Sequence, residues 1–395
     1  MSNFIFISPN FPDNYWNFCR QLKDNGMNVL GIGDCPYDEL SWELRNSLNE
    51  YYRVSSLENY DEVYRGVAYF SFKYGRIDWL ESNNEYWLER DASLRDDFNI
   101  KTGFRSSEMP KVKFKSKMKK YYEKAGIPVA RYHLVDNEEN CLKFIEEVGF
   151  PVVVKPDNGV GAAKTSKLDD LEELHEFMEH KDDTLYIMEE FVTGVVNSYD
   201  AIIDSRGEPM FETGNVTPNS LMDIVNDADN AMFYIRDRLP DDIREKGRAT
   251  VKAFGVKSRF VHLEYFRLSK DQYLGKENDI VALEVNMRPS GGISPTMMNL
   301  ANGTDVYKIW ADMVAFDKTQ KGKEDEQFCV FVGRRDGKNF VMSETDIHNR
   351  YGEHIRMEER VSEALSDAMG NYMYLATFKT EDEVKTFIND LCEVH

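Results

Sequence analysis

The sequence predicts a multidomain protein that combines α/β and α+β units, and three observations carry that expectation. The chain has 395 residues, room for two or three domains at roughly 100 to 200 residues each. It opens on a strand, a helix and a second strand, the pattern of a parallel sheet with crossover helices. From about residue 111 the alternation gives way to longer strands around a glycine-rich loop, the pattern of an α+β unit. Composition agrees: 42% hydrophobic and 30% charged residues, with 24 Gly and 12 Pro, exclude collagen-like, low-complexity and wholly disordered chains.

Taken in order, Phe4 to Ser8 reads as a buried strand, a Pro/Asn loop follows, and a helix from about Asn14 to Asn25 leads to a strand over Val29 to Ile32. The alternation continues from Tyr52 to about Glu89, and the lack of a GxGxxG after the first strand argues against a dinucleotide site. A boundary is expected near Glu108 to Lys113. Beyond it, SKMKKYYEKAG reads as a basic helix stopped at Gly126, with Pro128 behind it. A helix over Asn137 to Val148, a strand over Phe150 to Lys155, a glycine-rich loop and a short strand come next. A helix then starts near Asp169, with that aspartate as N-cap. Leu185 to Met210, Arg259 to Leu268 and Ile280 to Met287 read as further strands, and the polar stretch Asp317 to Glu326 as a linker. The expected division is a first α/β domain over 1–110, a two-lobed domain over 111–320 (lobes 111–184 and 185–320), and an α/β segment over 321–395, with no internal repeat.

Charge narrows the function. Lys plus Arg is 49 against 70 for Asp plus Glu, a net charge of −21, and a field of that sign repels nucleic-acid phosphates and anionic lipid. The run Lys111 to Lys120 is the one basic candidate, and its aromatics form no stacking platform. No apolar stretch approaches the roughly 18 residues of a membrane helix, and the start MSNFIFISPNFPDNYW lacks a basic leader and a small-residue cleavage site. The five cysteines form no CxxC pair, which fits reduced structural thiols. A cytoplasmic protein is expected, without nucleic-acid or membrane partners.

Three segments carry chemistry. In FPVVVKPDNGVGAAKT a buried strand ends at Lys155, and Gly159, Gly161, Ala162 and Ala163 leave backbone N–H groups bare enough to wrap an anion. A P-loop would need Gly where Asn158 and Ala163 stand and a helix after it; a glycine hairpin over phosphates fits better, and an ordinary flexible turn stays open. In IVALEVNMRPSGG, strand alternation puts Glu284, Asn286 and Arg288 on one face, about 6.7 Å apart in succession, with Val281, Leu283 and Val285 toward the core. Together with Glu264, which shares its phase with His262 and Phe266, these oxygens suit a hard divalent cation, magnesium first. A solvated face of an antiparallel strand remains the alternative. Two acids so close repel each other without their cation, so neutralising Glu284 is expected to cost no stability. In LYIMEEFVTG, Glu189 and Glu190 offer acceptors while the Phe191 to Val192 backbone can meet a planar base edge.

In this order, and with Lys115 upstream, the segments resemble the ATP-grasp superfamily of the carboxylate–amine ligase type, over about Lys111 to Asp317. The most specific parts are FKSKMKKYYEKAGIPVARY, PVVVKPDNGVGAAKT, MEEFVTG and HLEYF followed by LEVNMRPSGG. The resemblance implies an ATP-grasp fold behind an N-terminal Rossmann-like pre-ATP-grasp domain. It implies ATP held by Lys115 and Lys155, a mobile phosphate-covering loop from Gly159 to Ala163, and an adenine hinge at Glu189 and Phe191 to Val192. It further implies Mg2+, with Mn2+ as the substitute ion, on Glu264, Glu284 and Asn286, and Arg288 beside an acyl phosphate. The implied reaction joins a small-molecule carboxylate to an amine, with Lys155 and Arg288 as the catalytic pair, and leaves a homodimer open. Two departures stand out: Val195-Val196-Asn197 occupies the place of the family's ribose-binding Glu, and the 20-residue gap from Glu264 to Glu284 implies an extended hairpin over Ser269 to Asp279. The residues also leave open a non-catalytic ATP-binding regulatory module and ligation to a thiol.

Overall fold

The computed structural model describes residues 2–159, 164–218, 229–319 and 326–395, and every count below refers to these. The chain begins with β1 (Asn3–Ile7), α1 (Trp16–Asp24), β2 (Asn28–Gly33), α2 (Trp42–Ser47), β3 (Glu50–Arg53), α3 (Tyr60–Tyr74), β4 (Trp79–Glu81) and α4 (Leu88–Asp97). The four strands form a parallel sheet in the order β3-β2-β1-β4. β1 is buried at all five positions, as a central parallel strand covered on both faces must be.

Two helices lead out of this domain, α5 (Met109–Lys113) and α6 (Lys115–Lys124). A small antiparallel sheet follows, in the order β5-β8-β6-β7, from β5 (Tyr132–Leu134), α7 (Glu138–Val148), β6 (Val152–Pro156), β7 (Ser166–Leu168), α8 (Leu171–His180) and β8 (Tyr186–Glu190). The cap of α8 is Asp170, whose carboxylate accepts from the Glu172 and Glu173 amides, rather than Asp169, one residue earlier. Because β8 pairs with β5 and β6, the small sheet runs to Glu190, and the large sheet starts at Gly194.

The remaining strands are β9 (Gly194–Ile203), β10 (Pro209–Thr213), β11 (Asn215–Thr217), β12 (Ala231–Ile235), β13 (Arg259–Leu268), β14 (Ile280–Asn286), β15 (Phe328–Arg334), β16 (Ile355–Arg360) and β17 (Tyr372–Phe378). They build one antiparallel sheet in the order β14-β13-β9-β11-β12-β15-β17-β16, with β10 on β9. The helices between them are α9 (Asp241–Phe254), α10 (Ser294–Asn302), α11 (Val306–Phe316), α12 (Glu344–Tyr351), α13 (Glu363–Met369) and, after β17, α14 (Glu381–Cys392). The segment after residue 320 is α/β, and its strands continue this sheet through the β12–β15 ladder.

β14 departs from strict alternation. Its register against β13 shifts between Glu264 and Tyr265, so that Glu264 faces Glu284, Tyr265 faces Ala282, and Leu283 is the extra residue. A bulge of one residue moves everything beyond it to the opposite face. Val281 therefore packs with Ala130, Val192 and Leu268, while Ile280, Ala282 and Val285 enter the main core beneath β13. Val281, Leu283 and Val285 do not share a core face.

The first domain is welded to the large sheet. Phe4, Phe6 and Phe18 share one apolar cluster with Met297, Trp310, Phe331 and Leu375, and Phe18 meets Trp310 edge-on at 5.0 Å. Beside it runs a buried ionic seam, in which Glu81 of β4 accepts from Arg95 of α4 at 3.0 Å and from Arg259 of β13 at 2.5 Å. Gly103 passes over this seam at φ +90°, where a Cβ would lie 2.7 Å from the Arg95 guanidinium carbon, so the close approach requires glycine.

Candidate active site

The two sheets meet where α6 begins and β6 ends, and Asp157 ties them together. The Lys115 amide donates to the Asp157 carbonyl at 2.9 Å, while the Ser116 amide and hydroxyl each donate to its carboxylate at 2.7 Å. These are the orphan N–H groups of a helix N-terminus, satisfied from the neighbouring strand. Lys115, the first residue of α6, and Lys155, at the end of β6, are thereby placed on one cleft.

Each cation of that cleft rests on a carboxylate. Lys115 Nζ lies 2.9 Å from Glu284 Oε1 and 3.5 Å from the Gly159 carbonyl. Lys155 Nζ lies 2.6 Å from Glu189 Oε2, and Lys119 Nζ is 2.5 Å from Oε1 of the same side chain. Arg288 donates from Nη1 to its neighbour's carbonyl, Pro289 O, at 2.8 Å, its Nη2 is 3.4 Å from Asn286 Oδ1, and its Nε is 3.3 Å from Glu85 Oε2. His262 stands between Asp200, 2.8 Å from Nδ1, and Glu264, 3.3 Å from Nε2.

Electrostatics follow from these contacts. Burial opposes charge on His262, but Asp200 and then Glu264 outweigh it and raise its pKa to about 10, so the ring is an imidazolium at neutral pH. Burial also works against the Glu264 carboxylate, yet His262 holds it below the usual range. Glu189 is brought down to about 2 because Lys119 and Lys155 overcome its burial. At Lys115 the same contest ends with Glu284 raising the pKa.

Of the residues expected from sequence, the structure puts Lys115 against Glu284 and the Gly159 carbonyl, Lys155 against Glu189, Arg288 against Asn286, and Glu264 opposite Glu284 on the neighbouring strand. Gly161, Ala162 and Ala163 lie outside the described residues. Glu190 is held by Arg131: its Oε1 accepts from the Arg131 amide at 2.7 Å and its Oε2 from the Arg131 guanidinium at 2.6 and 3.0 Å. Val192 does line a small apolar patch with Ala130, Leu268 and Val281, whereas Phe191 lies under Lys167, 5.4 Å from its ring centroid. The hairpin over Ser269 to Asp279 closes on itself at Gln272 and Gly275 and clamps the hinge. Thr193 donates to Gln272 Oε1 at 2.9 Å and accepts from Nε2 at 2.7 Å. Asn197 turns its amide back to the Val195 carbonyl at 3.0 Å.

Glu264, Glu284 and Asn286 fit magnesium: all present oxygen to one cleft, and each is held here by a cationic side chain, His262, Lys115 and Arg288. Sequence reasoning missed Lys113, Lys119, Glu85, Asp157 and Asp200. Lys119 had a signal, since it lies one helical turn beyond Lys115 on the same face. Asp200 had none, because it meets His262 only through the β9–β13 register. On the first-domain side of Asn158 and Gly159 lies a cavity of about 470 Å³, walled by Tyr86, Trp87, Arg90 and Lys113.

Residues 111–207 match the family described as the ATP-binding domain of the carbamoyl-phosphate synthase L chain. The large chain of carbamoyl phosphate synthase from Neisseria meningitidis serogroup B is 21% identical over 320 residues, 77% of this chain and 28% of that one. The chain thus spans little more than a quarter of that relative's length. Among solved structures, an L-amino acid ligase from Bacillus licheniformis superposes over 100% of this chain and 98% of its own, with a TM-score of 0.74 at 14% identity. The chain has the ATP-grasp fold. A second ATP-grasp structure, N5-carboxyaminoimidazole synthetase from Staphylococcus aureus complexed with ADP, covers 98% of this chain and 95% of its own, with a TM-score of 0.70 at 14% identity. Agreement over the whole length extends the fold to the parallel four-stranded domain and to the strands after residue 326, well beyond the 111–207 match.

Proposed function

We propose that this protein is an ATP-dependent carboxylate–amine ligase that activates a small carboxylic acid as an acyl phosphate and passes the acyl group to an amine, releasing ADP and phosphate. The observation that carries the reading is the pairing of Lys115 with Glu284 and of Arg288 with Asn286, with Glu264 opposite Glu284 on the next strand and Lys155 on Glu189.

The chemistry asks for this set. A carboxylate oxygen attacks the γ-phosphorus of ATP, the bond to the bridging oxygen breaks, and ADP leaves; two anions must approach in line, so charge control dominates. Lys115 and Lys155 would face the phosphates, and Glu264, Glu284 and Asn286 would hold Mg2+, which when bound would supply Lewis-acid neutralisation of the triphosphate. The amine nitrogen then attacks the acyl carbon, phosphate departs and the nitrogen loses a proton. Arg288 stabilises the tetrahedral oxyanion, a kind of contribution worth about 3 kcal/mol when a comparable donor is removed. ATP, Mg2+ and the two small-molecule substrates are the ligands on this reading. No helix of the described residues is long and apolar enough to cross a membrane.

The test is ADP release across pooled carboxylates and amines, followed by the mass of the product. Amine-dependent ADP release with an amide product supports the ligase. Release that needs a thiol moves the acceptor to that class, and ATP binding without release under any pair overturns turnover in favour of a regulatory module.

A further inference from the structure

We propose that Lys119 is a positioning residue for ATP: by occupying one carboxylate oxygen of Glu189, it leaves Lys155 with surplus charge and free donors for the phosphates. The inference rests on the reading of this cleft as an ATP site.

Lys119 and Lys115 stand one turn apart on α6 and point the same way. The Lys119 side chain is 7% exposed. Its ammonium is engaged on three sides, by Glu189 Oε1 at 2.5 Å, by the Ala130 carbonyl at 3.1 Å, and by the Tyr132 ring with its centroid 5.2 Å away. Lys155, by contrast, holds Glu189 Oε2 at 2.6 Å and keeps N–H groups to spare.

The charges of the trio sum to +1, so a phosphate can draw Lys155 away and leave Glu189 still neutralised. Without Lys119 the sum is zero, and a phosphate has to win Lys155 from a buried carboxylate at low effective dielectric, where that attraction is strong. The same arrangement recurs across the cleft. Glu85 gives one oxygen to Lys113 at 2.8 Å and the other to Arg288 at 3.3 Å, again a lysine on one side and a cation of the site on the other.

The experiment is calorimetric titration of the full chain with Mg·ATP in the absence of acid and amine, so that binding is read without turnover. Lys119→Met is expected to weaken ATP about tenfold or more, and Lys119→Arg to stay within about threefold, because it keeps the charge. Glu189→Gln added to Lys119→Met should recover affinity, a coupling that a double-mutant cycle isolates and that a merely structural lysine would not produce. Melting curves confirm folding; should Lys119→Met melt below the assay temperature, Lys119→Gln, which retains a donor for the Ala130 carbonyl, makes the same comparison. Wild-type affinity in Lys119→Met, or a double variant no tighter than that single one, overturns the role of Lys119. A wild type that does not bind ATP overturns instead the reading of the cleft.

Discussion

At the scale of single residues, the structure reverses one sign that the sequence suggests. Two acids facing each other on paired strands repel, so Glu284→Gln reads as harmless to the fold. In the folded protein, however, Glu284 is the partner of Lys115, whose side chain is 6% exposed. Neutralising it leaves a buried ammonium with acceptors but no counter-charge, which costs about 1–3 kcal/mol because Glu284 itself keeps some solvent contact. Glu284→Gln is therefore expected to unfold at lower denaturant than the wild type. It should also lose turnover and demand more magnesium, as a carboxylate ligand is lost. Unchanged stability together with unchanged magnesium dependence would remove Glu284 from the site. The residue types at Lys115, Lys155, Glu264, Glu284, Asn286 and Arg288 were legible because each lies within or beside a recognisable motif, Glu264 and Glu284 inside strands and the others at or just past the end of a helix or strand. Asp200 and Glu85 were not, since only strand register and domain docking bring them to His262 and Arg288.

Among the elements, strand existence was easier to read than strand phase. β13 alternates as expected, but the single extra residue at Leu283 shifts β14 and sends Val281 to the hinge side; nothing in VALEV marks that bulge, whose cause is the pairing itself. The stretch from Leu185 to Met210 reads as strand throughout, and only pairing assigns LYIMEE and GVVNSYDAII to different sheets. Asp157 shows the opposite case, a residue legible as part of a loop whose work is to start a helix. Asp157→Ala removes the carboxylate that caps α6, which costs about 0.5–2 kcal/mol, and releases Ser116, the residue next to Lys115, from β6, leaving only the bond of the Lys115 amide to the carbonyl of residue 157. The expected outcome is a raised KM for ATP with a smaller change in kcat, and an unchanged KM would show that α6 holds its position without Asp157.

Over the whole molecule, the first domain and the large sheet are joined by the Phe18–Trp310 core and by the Glu81 seam, and the seam carries a pH dependence. Asp91 is fully buried; its Oδ2 accepts from the Ser82 amide at 2.9 Å and the Ser82 hydroxyl at 2.6 Å, and Arg95 Nη2 lies 4.0 Å away. That arginine is already spent on Glu81. Burial first, and then the Glu81 charge, push the Asp91 carboxyl up to about 7. An unfolded aspartate titrates near about 3.9, so between these values the native state holds a proton that the unfolded chain has lost. The stability this supplies is complete below the unfolded value and disappears as pH rises through 7. Glu81 is shifted the other way, held down by Arg259 and Arg95 against its burial, and its contribution is lost only on acidification below the ordinary carboxylate range. Within the seam, the window from pH 5 to 8 therefore isolates Asp91. Asp91→Asn keeps an acceptor for Ser82 and carries no charge at any pH, so its Tm measured relative to the wild type should climb from pH 5 and level off above about pH 7. A difference that stays flat across that window would mean that Asp91 is ionised throughout, and that Arg95 serves both acids of the seam.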